Sequence, residues 1–364
     1  MKKIAFIFGT RPEAIKICPV IKEFQKIKEI NTKVCISSQH TDMLDSVLKT
    51  FSLEYDYRFD LAKKERTLSE LNSDIFLMAG EYLDKEKPDV VVVHGDTATA
   101  FASALACFFR KIPIAHVEAG LRSYNSYSPY PEEFNRCAIS SMASIHFAPT
   151  EQARDNLLKE GIRDENIFVT GNTAIDALRF TVRENYSHPL LPKSAEEKLI
   201  IITAHRRENI GEPMRKSFRA IRRAIEERSD VRALYPCHAN PRVREIVEEE
   251  LSGCDRIKII EPLDALDFHN FLARCSFILT DSGGIQEEAL FFHKPTLLMR
   301  DTTERPEGVE AGGVMLVGTD EEKVYSSIVR LLEDDRLYSK MAEAKNPYGD
   351  GNASLRIAKV LCGD

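Results

Sequence analysis

Short apolar runs alternate with longer amphipathic stretches from one end of the chain to the other, and this alternation dictates the fold class. Continuous short runs suit strands buried on both faces of a parallel sheet, and parallel neighbours need long crossover connections. Residues 4–8, 33–37, 90–93, 114–117, 145–148 and 167–169 read as strands of a first half. Residues 199–203, 232–235, 257–260, 277–280, 296–299 and 314–316 read as those of a second. The predicted class is α/β. A chain of 364 residues exceeds one ordinary core, so two domains with a cleft between them are expected. The polar stretch 186–198, which carries Pro189 and Pro192, reads as the linker and sets boundaries at 1–185 and 186–349. Helix signals include Pro12 just after the first strand and Thr150 capping an amphipathic segment.

The formal charge of −7, with acids and bases interspersed, leaves no basic surface for nucleic acid. The eight cysteines are scattered without a C-x-x-C pair and sit mostly in apolar runs, which reads as reduced thiols and gives neither a disulfide frame nor a zinc site. The first apolar run ends at Gly9, too short for a signal-peptide core or a membrane span. A cytoplasmic protein without membrane insertion is expected.

In open parallel sheets ligands bind beyond the carboxyl ends of strands, so polar clusters that follow strands are the places to search. The first is Gly9-Thr10-Arg11-Pro12-Glu13 with Lys16 one turn later. It is either an anion site at a helix N-terminus or a helix entry with solvated charges. No G-x-G-x-x-G follows the strand, so no dinucleotide fingerprint is present. His94-Gly95-Asp96-Thr97 comes next, where Asp96 is either a functional acid or an N-cap. His116-Val117-Glu118-Ala119-Gly120-Leu121-Arg122 again ends a strand with an acid and a base. In Tyr127-Ser128-Pro129-Tyr130-Pro131-Glu132-Glu133-Phe134-Asn135-Arg136, prolines and tyrosines shape a loop that delivers Glu132 to a helix start. Acids there also complement the helix dipole.

The second half offers Thr203-Ala204-His205-Arg206-Arg207-Glu208-Asn209, where His205 is either structural or a cation for a phosphate oxygen. Asp281-Ser282-Gly283-Gly284-Ile285-Gln286-Glu287-Glu288 is the strongest phosphate signal: a strand ends, paired glycines permit close approach, and a helix begins. Glu288 could accept from a ribose or be a solvated helix acid. Arg300-Asp301-Thr302-Thr303-Glu304-Arg305-Pro306-Glu307 reads as a charged loop over the cleft or a surface ion-pair loop.

Taken together and in order, these segments resemble the non-hydrolysing UDP-N-acetylglucosamine 2-epimerases over nearly the whole chain. The resemblance implies two Rossmann-like parallel-sheet domains facing a central cleft, as in GT-B glycosyltransferases. It also implies a last helix, about residues 350–364, that packs back on the first domain, and a homodimer. It assigns Asp96, Glu118, Glu132 and His205 to catalysis and Arg11, Lys16, Phe268, Ser282, Gly283, Gly284, Glu288 and Arg305 to substrate contacts. Gln39, Arg66, Arg207 and His238 resemble positions of a second, activating UDP-N-acetylglucosamine site, although Asp42 stands where a glutamine is usual. No cofactor and no metal is expected. The implied reaction interconverts UDP-N-acetylglucosamine and UDP-N-acetylmannosamine for bacterial surface polysaccharide, by elimination of UDP to 2-acetamidoglucal and re-addition. Carboxylates serve as acid and base, cationic groups steady the departing diphosphate, and domain closure retains the intermediate. A GT-B glycosyltransferase, a hydrolysing 2-epimerase and a nucleotide-sugar sensor without turnover are the competing readings.

Overall fold

A computed structural model describes the chain except residues 39, 40, 62–65, 193, 195, 207, 208, 304 and 364 and the side chains of residues 38 and 41–43. Two units are present, Met1–Phe180 with Tyr348–Asp364, and Thr181–Pro347. The first contains β1 (Lys2–Phe8), α1 (Arg11–Gln25), β2 (Ile30–Ser38), α2 (Thr41–Thr50), β3 (Tyr57–Asp60), α3 (Leu68–Glu86), β4 (Val90–His94) and α4 (Ala98–Phe109). It continues through β5 (Ile114–Val117), α5 (Glu132–Met142), β6 (Ile145–Ala148), α6 (Glu151–Lys159), β7 (Ile167–Val169) and α7 (Thr173–Thr181), whose last residue opens the second unit. The second contains β8 (Lys198–Thr203), α8 (Glu212–Glu226), β9 (Val231–Pro236), α9 (Pro241–Leu251), β10 (Ile257–Ile260), α10 (Ala265–Arg274) and β11 (Phe277–Thr280). It ends with α11 (Gly283–Phe291), β12 (Thr296–Leu298), α12 (Pro306–Glu310), β13 (Val314–Leu316), α13 (Glu321–Glu333) and α14 (Asp335–Ala342), and α15 (Ala353–Cys362) returns to the first unit.

Every strand expected from the apolar runs forms, and the fold is α/β. β3 is additional: its Tyr-Arg-Phe-Asp sequence is short and half polar because it lies at a sheet edge with one neighbour. The sheets run β3-β2-β1-β4-β5-β6-β7 and β10-β9-β8-β11-β12-β13, with all pairings parallel. Side chains alternate across β1: Ile4, Phe6 and Phe8 pack with α1, α2 and α15, while Ala5 and Ile7 pack with α3 and α4. In each sheet the winding reverses once, between β1 and β4 and between β8 and β11. These reversals are the topological switch points beyond which such sheets bind ligands.

The stretch 186–198 that reads as a linker belongs to the second unit. Its polar side chains dock it on α10: Tyr186 Oη donates to Asp267 at 2.6 Å, and the His188 ring meets Phe271 edge-on at 4.9 Å. Among the described residues no helix is long and apolar enough to cross a membrane.

The returning C-terminal segment crosses the first unit where Gly171 and Gly349 touch; a Cβ on either would lie 3.2 Å from the other's Cα. Asn172 N donates to Tyr348 O at 2.7 Å. Asp176, 3 % exposed, then accepts from Ser354 N at 2.8 Å and Ala353 N at 3.2 Å, and so caps α15 with its carboxylate. Asp176→Ala strands both donors. It is expected to cost about 2 kcal/mol and lower the melting temperature by about 4–8 °C, with faster proteolysis near residue 348. Unchanged melting and unchanged proteolysis would show that the return is held by other contacts.

Candidate active site

Three strand-end loops and a helix start meet at the carboxyl edge of the first sheet. Thr10, Lys16, His94, Asp96, Glu118 and Glu132 line one cavity there, of about 380 Å3. Glu13, 3 % exposed, holds two of the loops together. Its carboxylate accepts from Gly9 N at 3.1 Å, Thr10 N at 2.7 Å and the Thr97 hydroxyl at 2.7 Å. Burial pushes its carboxyl above the ordinary range against those hydrogen bonds.

Asp96 is not an N-cap. Thr97 caps α4, accepting from Ala100 N at 3.1 Å, and this leaves Asp96 to meet the Arg136 guanidinium, with Nε at 3.0 Å. Burial raises the Asp96 carboxyl, Arg136 opposes that rise, and neighbouring Glu118 adds to it. Glu118 itself has φ of 63°, a left-handed conformation that costs a non-glycine residue about 1–3 kcal/mol. There its carboxylate pairs with the Lys16 ammonium, with Asn172 Nδ2 at 3.5 Å and His94 Nε2 at 3.8 Å. Burial holds His94 down to about 4, so its imidazole is neutral, and its Nε2 has no hydrogen-bond partner among the described residues. His116, pushed by burial to about 3, donates from Nε2 to Gly95 O at 2.7 Å and fixes the turn that precedes Asp96.

The adjacent acids at the start of α5 divide their work. Glu133, 2 % exposed, accepts from Ser123 N and Tyr124 N, each at 2.9 Å, and anchors the loop that leads to α5. Glu132 lines the cavity. One turn on, Arg136 reaches both Glu133, at 3.2 Å, and Asp96, while Asn135 Nδ2 donates to Asp96 O at 2.8 Å.

In the second unit Asp281 is fully buried and accepts from His205 N at 2.9 Å and Arg206 N at 2.9 Å, joining the loop after β8 to the loop after β11. The His205 ring, 41 % exposed, stacks on His238 with centroids 5.1 Å apart. α11 begins at Gly283 behind Ser282, whose side chain makes no capping bond. A Cβ on Gly284 would meet nothing within 4 Å, so packing does not require glycine there. Glu288, on the same face one turn later, lies 3.5 Å from His269 Nε2.

The remaining expected contacts are distributed as follows. Arg11 lines an adjoining cavity of about 280 Å3 that shares Thr10 and Thr97 with the first. Phe268 packs against the core that includes Leu199 and Phe271. Arg305 Nε donates to the buried Glu287 at 2.5 Å. Arg66 is held by Asp74 at 2.7 Å and donates to Leu61 O at 2.5 Å, while Gln39, Arg207 and the Asp42 side chain lie outside the described residues. His269 carried no signal in sequence, since a histidine in an amphipathic helix reads as core. Among the described residues no group of three or more His, Cys, Asp or Glu is placed to hold a metal.

A family model described as UDP-N-acetylglucosamine 2-epimerase matches residues 22–362. The UDP-N-acetylglucosamine 2-epimerase of Bacillus subtilis is 54 % identical over 359 residues, covering 99 % of this chain and 94 % of that protein. The S. aureus MnaA–UDP co-structure is 51 % identical with a TM-score of 0.91, covering 99 % of this chain and 96 % of its own. The Neisseria meningitidis UDP-GlcNAc 2-epimerase bound to UDP-GlcNAc is 44 % identical, with a TM-score of 0.92 and full coverage of both chains. A family model over residues 22–362, with relatives 44–54 % identical over 99 % or more of the chain, shows that the chain belongs to the UDP-N-acetylglucosamine 2-epimerase family.

Proposed function

We propose that the protein is a non-hydrolysing epimerase that interconverts UDP-N-acetylglucosamine and UDP-N-acetylmannosamine by eliminating and re-adding UDP. The observation that carries this reading is the gathering of Asp96, Glu118 and Glu132 with Lys16 around one cavity. The C2 hydrogen of the sugar is not acidic enough for direct removal, so the C1–O bond must open as C2–H breaks. A carboxylate takes the C2 proton, the C1=C2 bond of 2-acetamidoglucal forms, and UDP departs with the electron pair. UDP oxygen then returns to C1 while a carboxyl delivers a proton to C2 on the other face. Asp96, raised by burial, suits the proton-carrying member. His205 and the N–H groups at the start of α11 stabilise the leaving diphosphate. The unneeded Cβ space at Gly284 supports close approach of that ligand.

In heavy water the protein is expected to yield both UDP-linked epimers, deuterated at C2, with little free sugar by NMR. Asp96→Asn, Glu118→Gln and Glu132→Gln should each slow exchange by about 10²–10⁴-fold. Lack of C2 exchange rejects the mechanism, and accumulation of free N-acetylmannosamine assigns the hydrolysing reaction instead.

Self-association as a homodimer is supported by an apolar surface on α3 and α4, where Leu77 is 59 %, Phe108 52 % and Phe109 65 % exposed. Phe76 backs Phe109 edge-on at 5.8 Å. Light scattering should give twice the chain mass, and Phe109→Lys should halve it. A monomeric wild-type protein at tens of micromolar would contradict this.

A further inference from the structure

Beside α11 runs a line of three side chains from separate elements. Thr181, the last residue of α7, is fully buried, and its Oγ1 lies 2.8 Å from Nδ1 of His269 on α10. Across the ring, Nε2 lies 3.5 Å from Glu288 Oε2. The residues around Thr181 are pinned by Asn270, whose Nδ2 donates to Thr181 O at 2.7 Å and whose Oδ1 accepts from Arg183 N at 3.0 Å. A carboxylate only accepts, so the ring nitrogen that faces Glu288 carries the proton. In the neutral ring Nδ1 is then the acceptor and the Thr181 hydroxyl donates to it. The threonine thus favours the tautomer whose Nε2 carries the proton, 3.5 Å from Glu288 on its buried side.

This arrangement is more than core filling. His269 is 3 % exposed, yet it has a polar group on each side, while the Glu288 side chain keeps 16 % of its surface exposed, one turn along the helix from the open space at Gly284. One oxygen, Oε2, faces the imidazole at 3.5 Å. A rigid anionic acceptor beside a diphosphate-binding helix start matches the vicinal hydroxyls of a ribose, which would otherwise donate to water.

We propose that Thr181 and His269 are positioning residues that fix Glu288 for the ribose hydroxyls of the nucleotide, so that the second unit discriminates ribonucleotides from deoxyribonucleotides. This rests on the reading that the unit binds UDP. The test is calorimetric titration of the full chain with UDP and with 2′-deoxy-UDP. The wild type is expected to prefer UDP by about tenfold or more. His269→Phe should lower UDP affinity to that of 2′-deoxy-UDP while leaving the latter within about twofold. His269→Gln, whose amide nitrogen replaces Nε2, should restore the preference. Thr181→Val, nearly isosteric, should weaken it by about threefold and carries the test if His269→Phe folds poorly. A preference intact in His269→Phe and Thr181→Val, or equal losses for both ligands in folded variants, overturns the inference alone. Failure of the wild type to bind UDP overturns the functional reading together with it.

Discussion

A carboxylate buried beneath a loop and satisfied by backbone N–H groups is the device on which the site and its frame depend. Glu13 accepts from Gly9 N and Thr10 N, Glu133 from Ser123 N and Tyr124 N, Asp281 from His205 N and Arg206 N, and Asp176 from Ala353 N and Ser354 N. All four are at most 3 % exposed. Removing such a group leaves two donors unsatisfied at about 1–3 kcal/mol each, so each acid fixes its loop more tightly than a surface ion pair could. Parallel sheets need this because their strands end in irregular turns whose backbone groups the ladder does not satisfy.

With the loops fixed by one set of acids, a second set is left to face the cavity. Asp96, Glu118 and Glu132 sit next to Thr97, Ala119 and Glu133 in sequence, yet each pair separates into a residue that packs, caps or anchors and one that lines the cavity. Arg136 links the two sets, since one guanidinium serves both Glu133 and Asp96. Loop position and the electrostatics of a cavity-lining acid are therefore coupled through a single residue. In Glu118 the coupling is to backbone strain: its left-handed φ places the carboxylate against Lys16 and beside a neutral, buried His94.

Much of this was legible in sequence. Apolar runs announced every strand except β3, whose polar half reflects an edge position. The motifs also pointed to strand-end loops, and residues from four of those motifs, Thr10, Asp96, Glu118 and Glu132, line one cavity. What sequence could not separate was anchoring acids from cavity-lining ones. Asp96 and Thr97 are both good cap residues, and only the fold shows which one caps α4. Glu132 and Glu133 are chemically the same, and their division follows from the direction each takes at the first turn of α5. His269 and Thr181 were invisible because their pairing joins segments 88 positions apart. The stretch 186–198 shows a related limit: polar and aromatic residues at 186–188 look like a solvated tether until α10 is present to receive them.

The acids around Lys16 can invert a non-acidic carbon only if the anomeric C–O bond opens, and oxygen labelling tests that step most directly. UDP-N-acetylglucosamine carrying ¹⁸O in the bridge between C1 and the β-phosphorus should, on incubation with the protein, return UDP-sugars with the label spread into non-bridging β-phosphoryl positions, read by ³¹P NMR as epimerisation proceeds. Formation of the manno epimer with all label still in the bridge would contradict elimination and re-addition.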